Sequence, residues 1–234
     1  MRAKQLSERS PMRILERSIH GGLGAGNVGV VLSRPGLGKT SFLVGVALDD
    51  LLRGQRVFHI ALEQSVDHVR AYYEEIFSDL AEASHLEEAA SVRLQVERNR
   101  LVHTYVGHSF SMVKLKNALE SLRQHLHFEP NTVIIDGFAF SGDHYDEISE
   151  MRSLAGRHSC ELWMSAGTHA GAPSASPGEL PWPLARYSDL LSVVVNLEAA
   201  GDRIRLQLVK DHDSADLHDL YLDLDPRTML IIER

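Results

Sequence analysis

The sequence predicts an α/β fold of three layers, with a mainly parallel central sheet that finishes in antiparallel strands. Two observations carry this. From Val28 to Ala166, short apolar runs rich in Val and Ile alternate with longer stretches of helical period, the pattern of βαβ units whose sheet is covered on both faces. After the proline-rich segment Gly171 to Pro183 the helical stretches stop, and strand-like runs follow one another through turn residues, as in hairpins.

Taken in order, Val28 to Leu32 (VGVVL) reads as the first strand. A Gly/Pro loop follows, and then a helix from Lys39 to Leu52 that stops near Gly54. Arg56 to Leu62 is the second strand, and a helix starts near Val66. Within that helix Tyr72, Tyr73, Ile76, Phe77 and Leu80 form a stripe that suits core packing. The charged segment His85 to Arg100 reads as a further, solvated helix. Leu101 to Val106 is the third strand. Ser111 to His127 is helical, with Ser109 or Ser111 as N-cap, and Thr132 to Ile135 is a fourth strand stopped by Asp136. A helix over Asp146 to His158 and a strand over Glu161 to Ala166 complete the alternation. Gly171 to Pro183 holds four of the eight prolines and must be a loop. Leu190 to Leu197, Arg203 to Val209, Leu217 to Leu224 and Thr228 to Ile232 read as strands, joined by turns at Ala200-Gly201-Asp202 and Asp225-Pro226-Arg227.

The 234 residues suit one domain over 1–234, with 1–13 as a flexible or partner-binding N-terminal segment. Apolar residues at 44% and charged ones at 24% exclude a disordered chain or a coiled-coil rod. No apolar stretch approaches the ~18 residues that span a bilayer, and residues 1–10 lack the apolar centre of a signal peptide, so the expectation is a cytoplasmic protein without membrane contact. The single cysteine, Cys160, leaves no disulfide framework and no multi-cysteine zinc site. With 24 Lys+Arg against 32 Asp+Glu the net charge is -8, which disfavours a nucleic-acid partner. His125 and His127 have a chelating spacing only in a strand; on a helix they diverge, and no metal other than Mg²⁺ is expected. Trp182, in its proline-flanked loop, is either an interface anchor or packed on the sheet edge.

The most informative stretch follows the first strand and opens a helix: Ser33, Arg34, Pro35, Gly36, Leu37, Gly38, Lys39, Thr40 and Ser41. Its first eight residues match the phosphate-loop pattern everywhere but at Ser33, where the pattern has Gly. Such a loop turns successive N–H groups inward as an anion nest, and the helix N-terminus adds partial positive charge. Lys39 would reach the β- and γ-phosphates of a nucleotide, and the Thr40 hydroxyl would ligate Mg²⁺. The rest of a phosphoryl-transfer site is a carboxylate for Mg²⁺ and a group that activates water. Asp136, at the end of the run Val133-Ile134-Ile135, answers the first need, and Glu63, after Ile60-Ala61-Leu62, answers the second.

Three runs together, GNVGVVLSRPGLGKTSF, RGQRVFHIALEQS and TVIIDGF, resemble the ATPase core shared by RecA-type recombinases, KaiC-like proteins and DnaB-type helicases, with the KaiC-like and DnaB-type branches nearest. The resemblance covers about Ile14 to Leu224 and implies a RecA-like P-loop NTPase that uses ATP and Mg²⁺. It gives Glu63 the water-activating role and Asp136 the Mg²⁺ role, and it makes Thr168 or His169 the γ-phosphate sensor. It also implies a ring or filament of identical subunits with ATP at their interfaces, into which Lys210 would project from a neighbour. Three departures qualify it. The family's late Lys-x-Arg element is here Lys210-Asp211-His212, so trans-activated hydrolysis is expected to be weak. The loop Ala170 to Arg186 has a single basic residue and suits a protein partner better than DNA. DnaB-type helicases carry a further N-terminal domain, and a replicative helicase is not expected.

The leading function is thus an ATP hydrolase, with Glu63, Lys39 and Lys210 as catalytic residues, that couples nucleotide turnover to a conformational or assembly change. Its competitors are a weakly hydrolysing, nucleotide-gated regulatory or scaffold protein and a DNA-dependent helicase or recombination accessory.

Overall fold

The computed structural model describes residues 11–19, 21–107, 109–172, 179–214 and 221–225. Their elements run α1 (Pro11–Ser18), β1 (Val28–Ser33), α2 (Lys39–Leu52), β2 (Val57–Ala61), α3 (Val66–Ala83), α4 (Ala89–Asn99), β3 (Arg100–Thr104), α5 (Met112–Leu126), β4 (Thr132–Asp136), α6 (Tyr145–His158), β5 (Glu161–Gly167), a short 3-10 turn (Ala185–Tyr187), β6 (Val193–Ala200), β7 (Arg203–Asp211) and β8 (Tyr221–Leu224). Eight strands form one sheet in the order β3-β2-β4-β5-β1-β6-β7-β8. The first six in that order are parallel, and β7 and β8 pair antiparallel.

The sheet is the middle of three layers. Consecutive strand residues point to opposite faces, so Val30 and Leu32 join one core and Val31 the other; Val133 and Ile135 are divided from Ile134 in the same way. One face is covered by α1 to α4 through Met12, Leu15, Phe42, Leu48, Tyr73 and Val96. The other is covered by α5, α6 and the 3-10 turn through Leu115, Leu119, Met151, Leu154 and Tyr187. The chain steps from β1 outward to β3 and then back through β4 to β5. Right-handed crossovers therefore carry the helices to the second face once the direction reverses. The phosphate loop, Glu63 and Asp136 all lie at the carboxyl ends of parallel strands, the edge where such sheets bind ligands.

Ser111 is the N-cap of α5, accepting the Lys114 N–H. Three expectations need correction. Pro11, Met12 and Arg13, expected within a flexible or partner-binding segment over 1–13, belong to α1, whose Met12 and Leu15 are buried, and residues 1–10 lie outside the described residues. The helix expected over His85 to Arg100 begins only at Ala89, because His85 and Glu88 adopt left-handed backbone and turn the chain so that Leu86 packs on the core. Arg100 then opens β3. The strand expected over Leu190 to Leu197 is displaced to Val193–Ala200, since Leu190 and Leu191 bury themselves in the turn below Tyr187, and burial alone looks alike in both settings. The turn at Gly201 joins β6 to β7 as expected. Of the next expected strand Tyr221–Leu224 is seen, while Thr228 to Ile232 and the turn at Pro226 lie outside the described residues. Among the described residues no helix is long and apolar enough to cross a membrane.

Candidate functional site

β1 ends at Ser33, which is fully buried and still in strand register, facing Gly167 of β5 and Leu197 of β6. This explains the missing first glycine of the pattern. Ser33 has no left-handed backbone to satisfy, and its hydroxyl donates to the Arg34 carbonyl at 2.8 Å. Left-handed geometry enters three residues later, at Gly36, and then at Gly38 (φ 81°), which forms the N-cap of α2. Gly38 gives α2 no side-chain cap, so it leaves the first N–H groups of the helix without a side-chain acceptor of its own.

Pro35, Gly36, Gly38, Lys39, Thr40 and Ser41 form one end of a cavity of about 740 Å³; Arg34 and Leu37 are outside its wall. The wall continues over the ends of the neighbouring strands through Glu63, Gln64, Asp136, Ser165 and Gly167, and closes with Tyr72, Phe138, Phe140 and Trp182. The sheet order brings Glu63 and Asp136 together. Ala61 is in register with Asp136, and the Leu62 N–H donates to the Asp136 carbonyl at 2.9 Å.

Thr40 and Asp136 meet directly, the hydroxyl donating to Oδ2 at 2.7 Å. The second oxygen of Asp136 accepts from the Ser165 hydroxyl at 2.6 Å, and that hydroxyl accepts the Gly137 N–H at 2.7 Å. Gln64 Nε2 donates to Thr40 Oγ1 at 3.1 Å. Desolvation lowers the Lys39 pKa, while the charges of Asp136 and Glu63 pull the other way. Among the described residues, the wall sets one cation, Lys39, against three carboxylates, Glu63, Glu75 and Asp136. An anionic ligand alone would meet net negative charge. A phosphate chain that brings a divalent cation suits the same wall, with the cation held by Thr40 and Asp136. Among the described residues no group of three or more His, Cys, Asp or Glu is assembled as a metal site, and His127 is the left-handed cap that ends the helix holding His125.

The other expected site residues fall outside the cavity wall. Thr168 donates its backbone N–H to the Ser33 carbonyl at 3.0 Å, and the His169 ring packs edge-to-face on Trp182 with centroids 4.8 Å apart. Only their neighbour Gly167 is in the wall. Trp182 therefore stands at the cleft, where sequence reasoning left it either at an interface or on the sheet edge. Lys210 pairs with Val194 near the start of β6, whereas the phosphate loop leaves the sheet beside Leu197; the lysine is at the opposite edge, with its ammonium on the Ser188 carbonyl. His212 is held by Asp211 Oδ1 at 2.8 Å and by the Leu23 carbonyl at 3.1 Å.

Sequence reasoning missed Gln64, Gly137 and Ser165. Ser165 carried a signal, as the one polar residue inside the apolar run of β5. The stripe on α3 is core as expected at Tyr73, Ile76 and Phe77, and it also lends Tyr72 and Ile76 to the wall. Comparison of the sequence with protein-family models finds no match, and no curated protein is similar at a significant level.

Proposed function

We propose that the protein is a RecA-like P-loop ATPase that binds ATP with Mg²⁺ and couples turnover to a conformational or assembly change. The observation that carries this reading is the Thr40–Asp136 contact, 2.7 Å long, beside Lys39 at the mouth of an uncapped helix. A hydroxyl and a carboxylate joined in this way, next to a lysine and the start of a helix that Gly38 leaves uncapped, suit a magnesium-bearing phosphate chain. Bound there, Mg²⁺ supplies charge neutralisation at the phosphates. Lys39 adds a point charge where negative charge develops, and partial desolvation strengthens that interaction. Glu63, at the wall beside Asp136, takes the proton of the attacking water. Ser165 holds Asp136 in place.

The test is calorimetry with ATP and Mg²⁺ on the parent and Lys39→Ala, together with turnover of Glu63→Gln. Loss of ATP affinity in the first variant, and retained binding without turnover in the second, support the reading. Parent-like binding by Lys39→Ala removes it. A second reading, a slow nucleotide-gated switch with a protein partner, draws on His212. Its ring is tied to Leu23 and Asp211 where the family has an arginine that reaches a neighbouring subunit. Steady-state rates with and without single-stranded DNA separate both readings from a DNA-dependent motor, which the charge of -8 disfavours.

A further inference from the structure

Gln64 has no part in the reading above, and its surroundings are specific. It follows Glu63 in the turn between β2 and α3 and belongs to the cavity wall. Its Nε2 donates to Thr40 Oγ1 at 3.1 Å, and that oxygen donates onward to Asp136 Oδ2 at 2.7 Å. Its Oε1 is buried, with no hydrogen-bond partner among the described residues. Burying an amide oxygen unpaired is unfavourable by about 1–3 kcal/mol. The side chain is nonetheless kept in this position, and among the described residues its hydrogen bond is to Thr40.

A threonine hydroxyl has one hydrogen and two lone pairs, and its rotor is otherwise free. Here the hydrogen is committed to Asp136 and one lone pair to Gln64. The remaining lone pair is then fixed in direction. We infer that Gln64 is a positioning residue for the metal site: it locks the Thr40 hydroxyl so that its last lone pair is presented to the nucleotide's divalent cation. This rests on the phosphate-loop reading of Lys39 and Thr40 and adds a residue that the motif does not contain. Partners that orient metal ligands from behind typically change metal affinity by roughly 10- to 100-fold when removed.

The experiment measures how much Mg²⁺ tightens ADP binding, as the ratio of calorimetric ADP dissociation constants in EDTA and in saturating Mg²⁺. It compares the parent, Gln64→Met and Gln64→Leu, with thermal melts to verify folding. Both variants keep apolar bulk and remove the donor. Expected is ADP affinity in EDTA within about twofold of the parent and a magnesium-dependent gain about tenfold smaller. A merely structural role would change ADP affinity equally with and without metal. An undiminished gain in both variants overturns the inference while leaving the ATPase reading intact. A parent that binds no ADP, or gains nothing from Mg²⁺, overturns the ATPase reading and the inference together, and that failure is visible before any variant is made.

Discussion

Glu63 lies across the α-carbon of Gly137, where a Cβ would stand 3.0 Å from Glu63 Cγ. Gly137 also has φ of +90°, a conformation that side chains rarely adopt. The glycine after the Asp136 strand thus leaves room for the glutamate delivered by its neighbour. Gly137→Ala should lower stability by about 1–3 kcal/mol through strain and displace Glu63. Turnover should fall further than nucleotide affinity. Parallel measurement of kcat and ADP binding decides it, and equal losses in both would count against Glu63 as the water-activating group.

Ser165 is buried between two groups that need it, donating to Asp136 and accepting from the Gly137 N–H. Ser165→Ala leaves both without that partner, so urea unfolding should show a loss of about 1–3 kcal/mol. A fully stable alanine variant would mean that water replaces the hydroxyl at no cost.

Glu161, at the start of β5, has its pKa raised to about 7 by burial and by the neighbouring charge of Asp50, against the Gly24 N–H that it accepts at 2.9 Å. Burial also raises Asp50 itself, though the Thr132 hydroxyl and Arg53 oppose the shift. The folded state then binds more protons than the unfolded chain between the ordinary glutamate value and about 7, so stability falls as pH rises through that window. Glu161→Gln keeps an oxygen for Gly24 and should gain on the order of 2 kcal/mol at pH 8 but little at pH 4.5. Melts across this range check both the size and the sign, and a variant no more stable than the parent at pH 8 would contradict the assignment.

Lys210 is on the sheet edge away from its own phosphate loop, so any contribution to turnover has to cross to another copy. Specific activity should then rise with protein concentration, and Lys210→Ala should depress turnover while sparing ATP binding. Sedimentation with ATP and Mg²⁺ across a concentration series is the check. A persistent monomer with concentration-independent rates would favour the slow-switch reading.

Much of the cleft was legible because its parts are local. The loop from Ser33 to Ser41, the strand that ends at Asp136 and the turn at Glu63 each carry residue type and flanking apolar run within a dozen positions. Helix α2 was read to the residue for the same reason, with Gly38 before it and Gly54 after it. What stayed hidden was pairing at a distance. Ser165 acquires its role from a carboxylate 29 residues away, and Gln64 from a hydroxyl 24 residues away, contacts that exist only because β5 lies between β4 and β1 and because β4 flanks β2. The misplaced start of β6 has another cause. Leu190 to Leu197 is apolar apart from Ser192 and Asn196, and a run so little interrupted carries no clear period by which to tell a buried turn from a buried strand.

Helix α2 begins at a glycine that contributes no capping side chain, although ten of its fourteen residues are buried. Its far end is buried in the core, while its first turn receives no capping side chain from Gly38. On the ATPase reading proposed above, folding and nucleotide binding share one equilibrium at this helix: a phosphate ligand that engages the N–H groups of that turn should stabilise the fold by mass action, by about 2.7 kcal/mol at a hundredfold excess over Kd. Amide exchange in the presence of ATP and Mg²⁺ should report the same coupling locally, slowing first at Lys39 to Phe42 and hardly at all at Leu51, and the protein's thermal stability should then track the surrounding nucleotide concentration.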